Sequence, residues 1–316
     1  MHGDLAFNEN SDEFVCQPCR FYFPVIDGIP ILFPCNVRDN LDCLFKRYWD
    51  GVERSDLYNA KVEGGDDAFG RYNNSSELWA MMTFYDHQNL DVVLDAGTGN
   101  GRFLDTFPAC TIKVGLDASF NLLRHAKARH RGDLLVCGEV EHLPFKSGVF
   151  GTVISCRVIQ HLREQERAIQ EMARVARTRG DLIIEFYNTL NPKTIYKWIR
   201  MTPWLRSILN APFRALFRSM SPFAQWGLDY DRYNYWFEIE RWMQHAGLGH
   251  IEGRGVGFGY HKYFCSPFYI DAFFSNRAPR LRERYYDACL DIEKAVGGWP
   301  AFRYAMEKIV LKGIKQ

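Results

Sequence analysis

From residue 92 onward, apolar residues gather in short runs, each bounded by glycine or charge: Val92-Val93-Leu94, Lys113–Leu116, Leu134-Leu135-Val136, Val149–Cys156 and Leu182–Tyr187. Runs this short suit strands, and continuous rather than alternating apolar character suits strands covered on both faces. Between them, residues 119–130 and 163–176 carry helical spacing. This alternation predicts βαβ units around a parallel sheet. The predicted fold class is α/β, a doubly wound, mostly parallel sheet with helices on both faces.

The rhythm breaks over 188–228. Pro192, Pro203, Pro212 and Pro222 fall there, so no long helix is expected to survive. Helix and strand texture returns with Asn234–Ala246 and Leu248–Gly257, followed by a helical stretch over 279–306 and a last strand, Lys308–Leu311. Ahead of the main pattern, Phe14-Val15-Cys16, Phe21–Val25 and Ile29–Phe33 read as strands, with Asp27-Gly28 as the turn between the last two. Residues 41–90 are aromatic-rich and read as largely helical.

Composition narrows the field. The chain is 47% apolar and 15% aromatic, enough for a substantial core, which excludes whole-chain disorder. Lys and Arg total 39 against 38 Asp and Glu, so charge alone does not recruit nucleic acid, and a nucleic-acid partner is disfavoured. The nine cysteines are odd in number, and Cys137, Cys156 and Cys289 sit inside apolar runs; a reducing, cytoplasmic setting fits. No run approaches the ~20 apolar residues of a membrane span, and Met1-His2-Gly3-Asp4 does not open a signal peptide.

The strongest chemical signal is Val92-Val93-Leu94-Asp95-Ala96-Gly97-Thr98-Gly99-Asn100-Gly101-Arg102-Phe103. A strand runs into an acid, a glycine-rich turn and a helix. Glycines let backbone approach a ligand closely, and a helix start offers N–H groups. A second acid, Asp117, ends the next strand, about 20 residues on, where a carboxylate can hold ribose hydroxyls. Two nucleoside classes compete. The G-x-G-x-G spacing departs from the dinucleotide pattern, and Asp95 would repel a pyrophosphate. An acid there suits a cationic ligand.

At these residues the chain resembles the class I S-adenosylmethionine-dependent methyltransferases. The resemblance continues through Val114-Gly115-Leu116-Asp117-Ala118-Ser119, Gly138–Phe145, Phe150–Cys156 with Val158–Leu162, and Arg179–Glu185, covering about 90–190. It implies a Rossmann-like core and S-adenosylmethionine as cofactor. It also implies roles. Asp95 with Gly97, Thr98, Gly99 and Gly101 lines the methionyl part. Asp117, followed by Ala118, holds the ribose. Glu139 stands where the family usually has Asp and faces the adenine amino group, and Val140 offers its N–H to the ring. Cys156 and Arg157 lie near the methionyl moiety or the acceptor. Each role has a plainer rival: Asp117 as a helix cap, Glu139 as a solvated acid, Arg157 as a salt-bridging residue.

Methyl transfer from a sulfonium needs alignment more than a strong base. His161, after the fourth strand, is the candidate base; its alternative is a local hydrogen bond that sets the loop. The family block Asn/Asp-Pro-Pro-Tyr/Phe is absent here, where the chain reads Ser155-Cys156-Arg157-Val158, which weakens DNA-adenine and amide acceptors. From Phe186 to Leu228 there is no acid, while Lys193, Lys197, Arg200, Arg206, Arg214 and Arg218 are basic. Ile195, Trp198 and Ile199 lie on one helical face opposite Lys193, Lys197 and Arg200. Phe213, Leu216, Phe217 and Met220 repeat the apolar stripe. Basic amphipathic helices of this kind suit a membrane surface through 193–220, peripheral at the inner face, or an active-site lid. Either collects a small-molecule or lipid-like acceptor.

Cys16-Gln17-Pro18-Cys19 resembles half of the small zinc-ribbon-like domain that precedes many bacterial methyltransferases. The partner pair expected ahead of Gly3 is missing, and two thiolates do not complete a tetrahedral zinc site; Cys35 and Cys43 fall outside the spacing. A degenerate ribbon without metal is expected, and a start site placed too late is the other reading. The expected divisions are 1–36, the ribbon-like segment; 37–190, the cofactor-binding core; 191–233, the basic insertion or lid; and 234–316, the rest of the core with C-terminal helices. Two rival functions stay open: an RNA or protein methyltransferase, and a non-enzymatic cofactor-binding scaffold that partners another methyltransferase.

Overall fold

The structure is a computed structural model. It describes residues 5–9, 11–18, 20–34, 68–191, 194, 198–199, 202–216 (backbone alone for 213–216), 232–258 and 278–316. The expected helices before residue 68, Cys19, Cys35, Cys43, Lys193, Ile195, Lys197, Arg200, Phe217, Arg218 and Met220 lie outside these residues, as do the side chains of Phe213, Arg214 and Leu216.

In chain order the elements are β1 (Leu5–Asn8), β2 (Glu13–Cys16), β3 (Phe21–Ile26), β4 (Ile29–Pro30), α1 (Ala68–Met82), β5 (Val92–Ala96), β6 (Ile112–Asp117), α2 (Phe120–Ala128), β7 (Leu134–Cys137), β8 (Phe150–Cys156), α3 (Gln165–Val175), β9 (Ala176–Tyr187), α4 (Pro203–Leu216), α5 (Trp236–His245), β10 (Leu248–Val256), α6 (Pro279–Val296), a single turn α7 (Pro300–Arg303) and β11 (Lys308–Lys315). The α/β expectation holds. Seven strands form one sheet in the order β10-β11-β9-β8-β5-β6-β7. β5, β6, β7, β8 and β9 pair in parallel, and β11 runs antiparallel to both neighbours. The chain moves outward through β6 and β7, then returns to place β8 on the other side of β5. That reversal opens a crevice beyond the carboxyl ends of β5 and β8, where open α/β sheets receive ligands.

Burial follows the sequence logic. Every residue of β8 is buried, as a central strand covered on both faces must be. In α3, Ala168, Ile169, Met172 and Ala173 turn one stripe inward while its charged residues face outward.

Three expectations change. The strand expected at Leu182 begins at Ala176, directly after α3. Arg179 takes a left-handed φ of 64° inside it, and the register shifts between Phe150 and Thr152, so a bulge absorbs the charged, glycine-containing stretch. The proline-rich region does hold a helix: α4 runs 14 residues with Pro212 inside it. Pro203 opens α4, where a missing N–H costs nothing, and Pro212 forfeits one internal hydrogen bond rather than ending the helix. The stretch expected as helix over 279–306 breaks after Val296 and resumes as α7.

The N-terminal strands form an antiparallel sheet in the order β1-β2-β3-β4. It shares the main core: Phe23, Ile29, Ile31 and Phe33 are buried in one cluster with Leu116 and Cys137. Ile31 bridges Cys137 in parallel, and Leu32 N donates to the Cys137 carbonyl at 2.7 Å. Gly138 permits this approach, since a Cβ there would stand 2.9 Å from the Leu32 carbonyl oxygen. At the other end of the chain, α6 packs on α1 through stacked Tyr72 and Tyr286, with ring centroids 5.3 Å apart.

Candidate functional site

The crevice is built from backbone turned at strand ends. Gly97, Gly99 and Gly101 all take positive φ, at 84°, 56° and 77°. A Cβ on Gly97 would stand 2.2 Å from Val158 Cγ2, so the turn after β5 can pass beside the exit of β8 only as bare backbone. Asp117, at the end of β6, accepts from Gly99 N and from Ser119 N, each at 2.8 Å. Asp117 thus takes part in the local structure at the start of α2, as its plainer alternative foresaw. Ser119 caps α2 by accepting from Leu122 N, and Asp117 fixes the glycine turn to the start of that helix.

Asp95 is 1% exposed and accepts from Thr98 Oγ1 at 2.7 Å. Burial, aided by the nearby Asp117 charge, pushes its carboxyl up to about 7, against the pull of Thr98 and Arg102. Glu139 and Val140 follow β7. Glu139 is half-buried beside His142 Nδ1 at 3.1 Å, and Val140 is buried. Ala118 is half-buried beside Asp117.

Across the switch point the character changes to buried charge. Cys156 ends β8, buried, with its thiol donating to Glu185 Oε2 at 3.4 Å; burial and the neighbouring Glu185 and Glu77 hold that thiol well above the usual thiol range. Arg157 takes φ 58°, a left-handed conformation unusual for a side chain of this size. Its backbone N–H donates to Glu185 Oε2 at 2.7 Å, and its guanidinium lies 3.5 Å from Glu77 Oε2. Arg102 donates to Glu77 at 2.6 Å, and the buried Lys308 ammonium bonds Glu77 and Asn73. Three cations hold the Glu77 carboxyl far below the usual range despite complete burial. Glu185, within 4.0 Å of Lys308, is pushed up by burial and by Glu77.

Sequence reasoning missed Glu77, Arg102, Glu185 and Lys308 as a group. One signal was available, a charge set within an apolar strand at Glu185 and at the head of β11 at Lys308. Arg157 takes the salt-bridging part foreseen as its alternative. His161 closes a short turn at Ile159–His161, is exposed, and lies 3.3 Å from Gln160 through their Nε2 atoms.

Residues 94–184 match the family model of a methyltransferase domain. A demethylmenaquinone methyltransferase of Thermobifida fusca is 28% identical over 62% of this chain and 78% of its own. A tRNA (carboxymethyluridine(34)-5-O)-methyltransferase of Arabidopsis thaliana is 30% identical over 34% of this chain and 27% of its own. Among solved structures, a S-adenosylmethionine-dependent methyltransferase of Thermotoga maritima superposes with a TM-score of 0.51 at 17% identity, covering 87% of this chain and 99% of that one. The family match makes residues 94–184 a methyltransferase domain, and the sheet has the fold of S-adenosylmethionine-dependent methyltransferases. The chain spans less than half the length of the first curated relatives it matches, 48% and 43%.

The chemistry of the crevice suits S-adenosylmethionine. A buried carboxyl whose charge is penalised, Asp95, gains from a cationic ligand and not from a phosphate. Among the described residues, no cluster of three or more His, Cys, Asp or Glu side chains is placed to hold a metal, and no helix is long and apolar enough to cross a membrane.

Proposed function

We propose that this chain transfers a methyl group from S-adenosylmethionine to a small-molecule or lipid-like acceptor. The observation that carries the cofactor half is the Asp117 carboxylate, pinned by Gly99 N and Ser119 N beside the buried Asp95. When bound, the cofactor supplies a methyl group on a sulfonium, which leaves by in-line displacement. Asp117 holds the ribose, Glu139 and Val140 meet the adenine, and Asp95 with the Gly97–Gly101 turn faces the cationic end. Cys156 and Arg157 border the acceptor side, and His161, at the rim, takes a proton where the acceptor must lose one.

The acceptor class rests on the acid-free stretch from Phe186 to Leu228. Where it is described, it exposes large apolar groups: Trp198 59%, Trp204 63% and Ile208 61%. Trp204 and Ile208 lie one turn apart on α4, with Arg206 between them, an arrangement suited to an amphipathic acceptor or a lipid surface. Supplying labelled methyl donor to fractionated cell extract tests the assignment. Label in lipid or small-molecule fractions supports it. Label released by nuclease or protease moves the acceptor to RNA or protein and overturns it. Trp198→Glu with Trp204→Glu is expected to abolish co-sedimentation with anionic vesicles; intact partitioning removes the membrane surface.

A further inference from the structure

We propose that Glu77 is a positioning residue that sets the affinity of the crevice for its cofactor, by tying the loops on both sides of the switch point to one helix. The proposal rests on the S-adenosylmethionine reading above and concerns a residue outside the matched domain.

Glu77 lies on α1, fully buried. Its Oε2 receives Arg102, the residue directly after Gly101 and so the far anchor of the glycine turn. The same oxygen faces Arg157, the first residue past β8, held in its left-handed conformation. Its Oε1 receives Lys308 at the head of β11. Asn73 and Asn74, one turn earlier on the same face of α1, take second bonds from Lys308 and Arg102. One carboxylate therefore joins three segments that do not touch in sequence. Two of them flank the place where the methionyl end is expected.

The charges explain why the tie is specific. Arg102, Arg157 and Lys308 are 9%, 17% and 0% exposed, and the nearby Glu185 balances only one of them. Without Glu77 the cations repel one another in a medium of low polarity, and the two loops part. A ligand must then order the loosened loops again when it binds, and that cost lowers affinity.

The test is a charge-conserving double variant of the full chain, Glu77→Gln with Lys308→Met, which removes one acid and one base together. Calorimetry with S-adenosylhomocysteine is run beside thermal unfolding without ligand. The expected result is cooperative unfolding with a Kd raised about tenfold or more. A folded double variant whose Kd stays within about twofold of the wild type overturns the proposal, because a merely structural tie shifts the midpoint and leaves affinity intact. Wild-type protein that takes up no S-adenosylhomocysteine overturns the cofactor reading, and this proposal with it. Should the double variant not fold, hydrogen exchange on the wild type decides: ligand-induced protection of α1 amides around Glu77 supports the tie, and unchanged exchange overturns it.

Discussion

The two halves of the main sheet solve different problems. On one side of the switch point, β5, β6 and β7 end in turns shaped by backbone: positive-φ glycines, a carboxylate bonded to two N–H groups, and a serine cap. On the other side, β8 and β9 end, and β11 begins, at a buried box of charged side chains drawn from residues 77, 102, 157, 185 and 308. The first half is shaped by local conformation. The second is held by long-range electrostatics. Damage to the first is expected to show mainly in binding, and damage to the second in stability and in binding together.

The largest effect tests the second half. Lys308→Met removes the ammonium that bonds Glu77 and stands 4.0 Å from Glu185, and a broken buried pair typically costs about 3–5 kcal/mol. A denaturant midpoint near the wild-type value would mean that the box contributes little. Next, Gly97→Ala forces a side chain to φ 84° and into Val158, at a cost of about 1–3 kcal/mol in strain alone. It should abolish S-adenosylhomocysteine binding while the fold persists; retained binding would show that the turn yields. Asp117→Ala removes a charged acceptor from two N–H groups, each such bond being worth about 1.5–3 kcal/mol. Affinity measured by calorimetry should fall at least about tenfold, and unchanged affinity removes the ribose assignment.

A smaller effect follows from Asp95. Its carboxyl titrates at about 7 when folded and near 3.8 when unfolded, so between those values the folded chain binds the extra proton. This group's contribution to stability therefore rises as pH falls from about 7 toward 3.8 and is lost as pH rises through 7. A cationic ligand reverses the preference, favouring ionised Asp95. Affinity should climb severalfold between about pH 6 and 7.5, and Asp95→Asn should flatten the profile. The smallest effect lies outside both halves. Arg124 and Asp27 join α2 to the N-terminal sheet as an exposed pair, 57% and 55% exposed, so Arg124→Ala should move stability by no more than about 1 kcal/mol.

The same contrast explains what the sequence made legible. Asp95, Gly97 and Gly99 could be read because strand, acid and glycines follow one another within a few residues, and Asp117 because β6 pairs in parallel beside β5; the helix expected directly behind the glycines is only a single 3-10 turn, Leu104–Thr106. The parallel strands could be read because apolar runs of that length have few other uses. The box could not be read whole, because Glu77 and Lys308 meet only once the sheet and α1 have packed, and the charges at Glu185 and Lys308 stand out from their apolar runs without naming a partner. Pro212 misled for a related reason: proline weakens a helix locally, and α4 continues through it nonetheless.

The bridge between Ile31 and Cys137 has a consequence for association. Outer strands of a sheet carry bare amides that invite foreign strands, a hazard for clumping and an opening for assembly. At Cys137 this chain supplies its own covering segment, with Leu32 donating to the carbonyl a newcomer would need. A strand-donating protein could lengthen the sheet on that flank only after evicting Ile31 and Leu32, and their departure would bare Phe33 and its apolar neighbours to water.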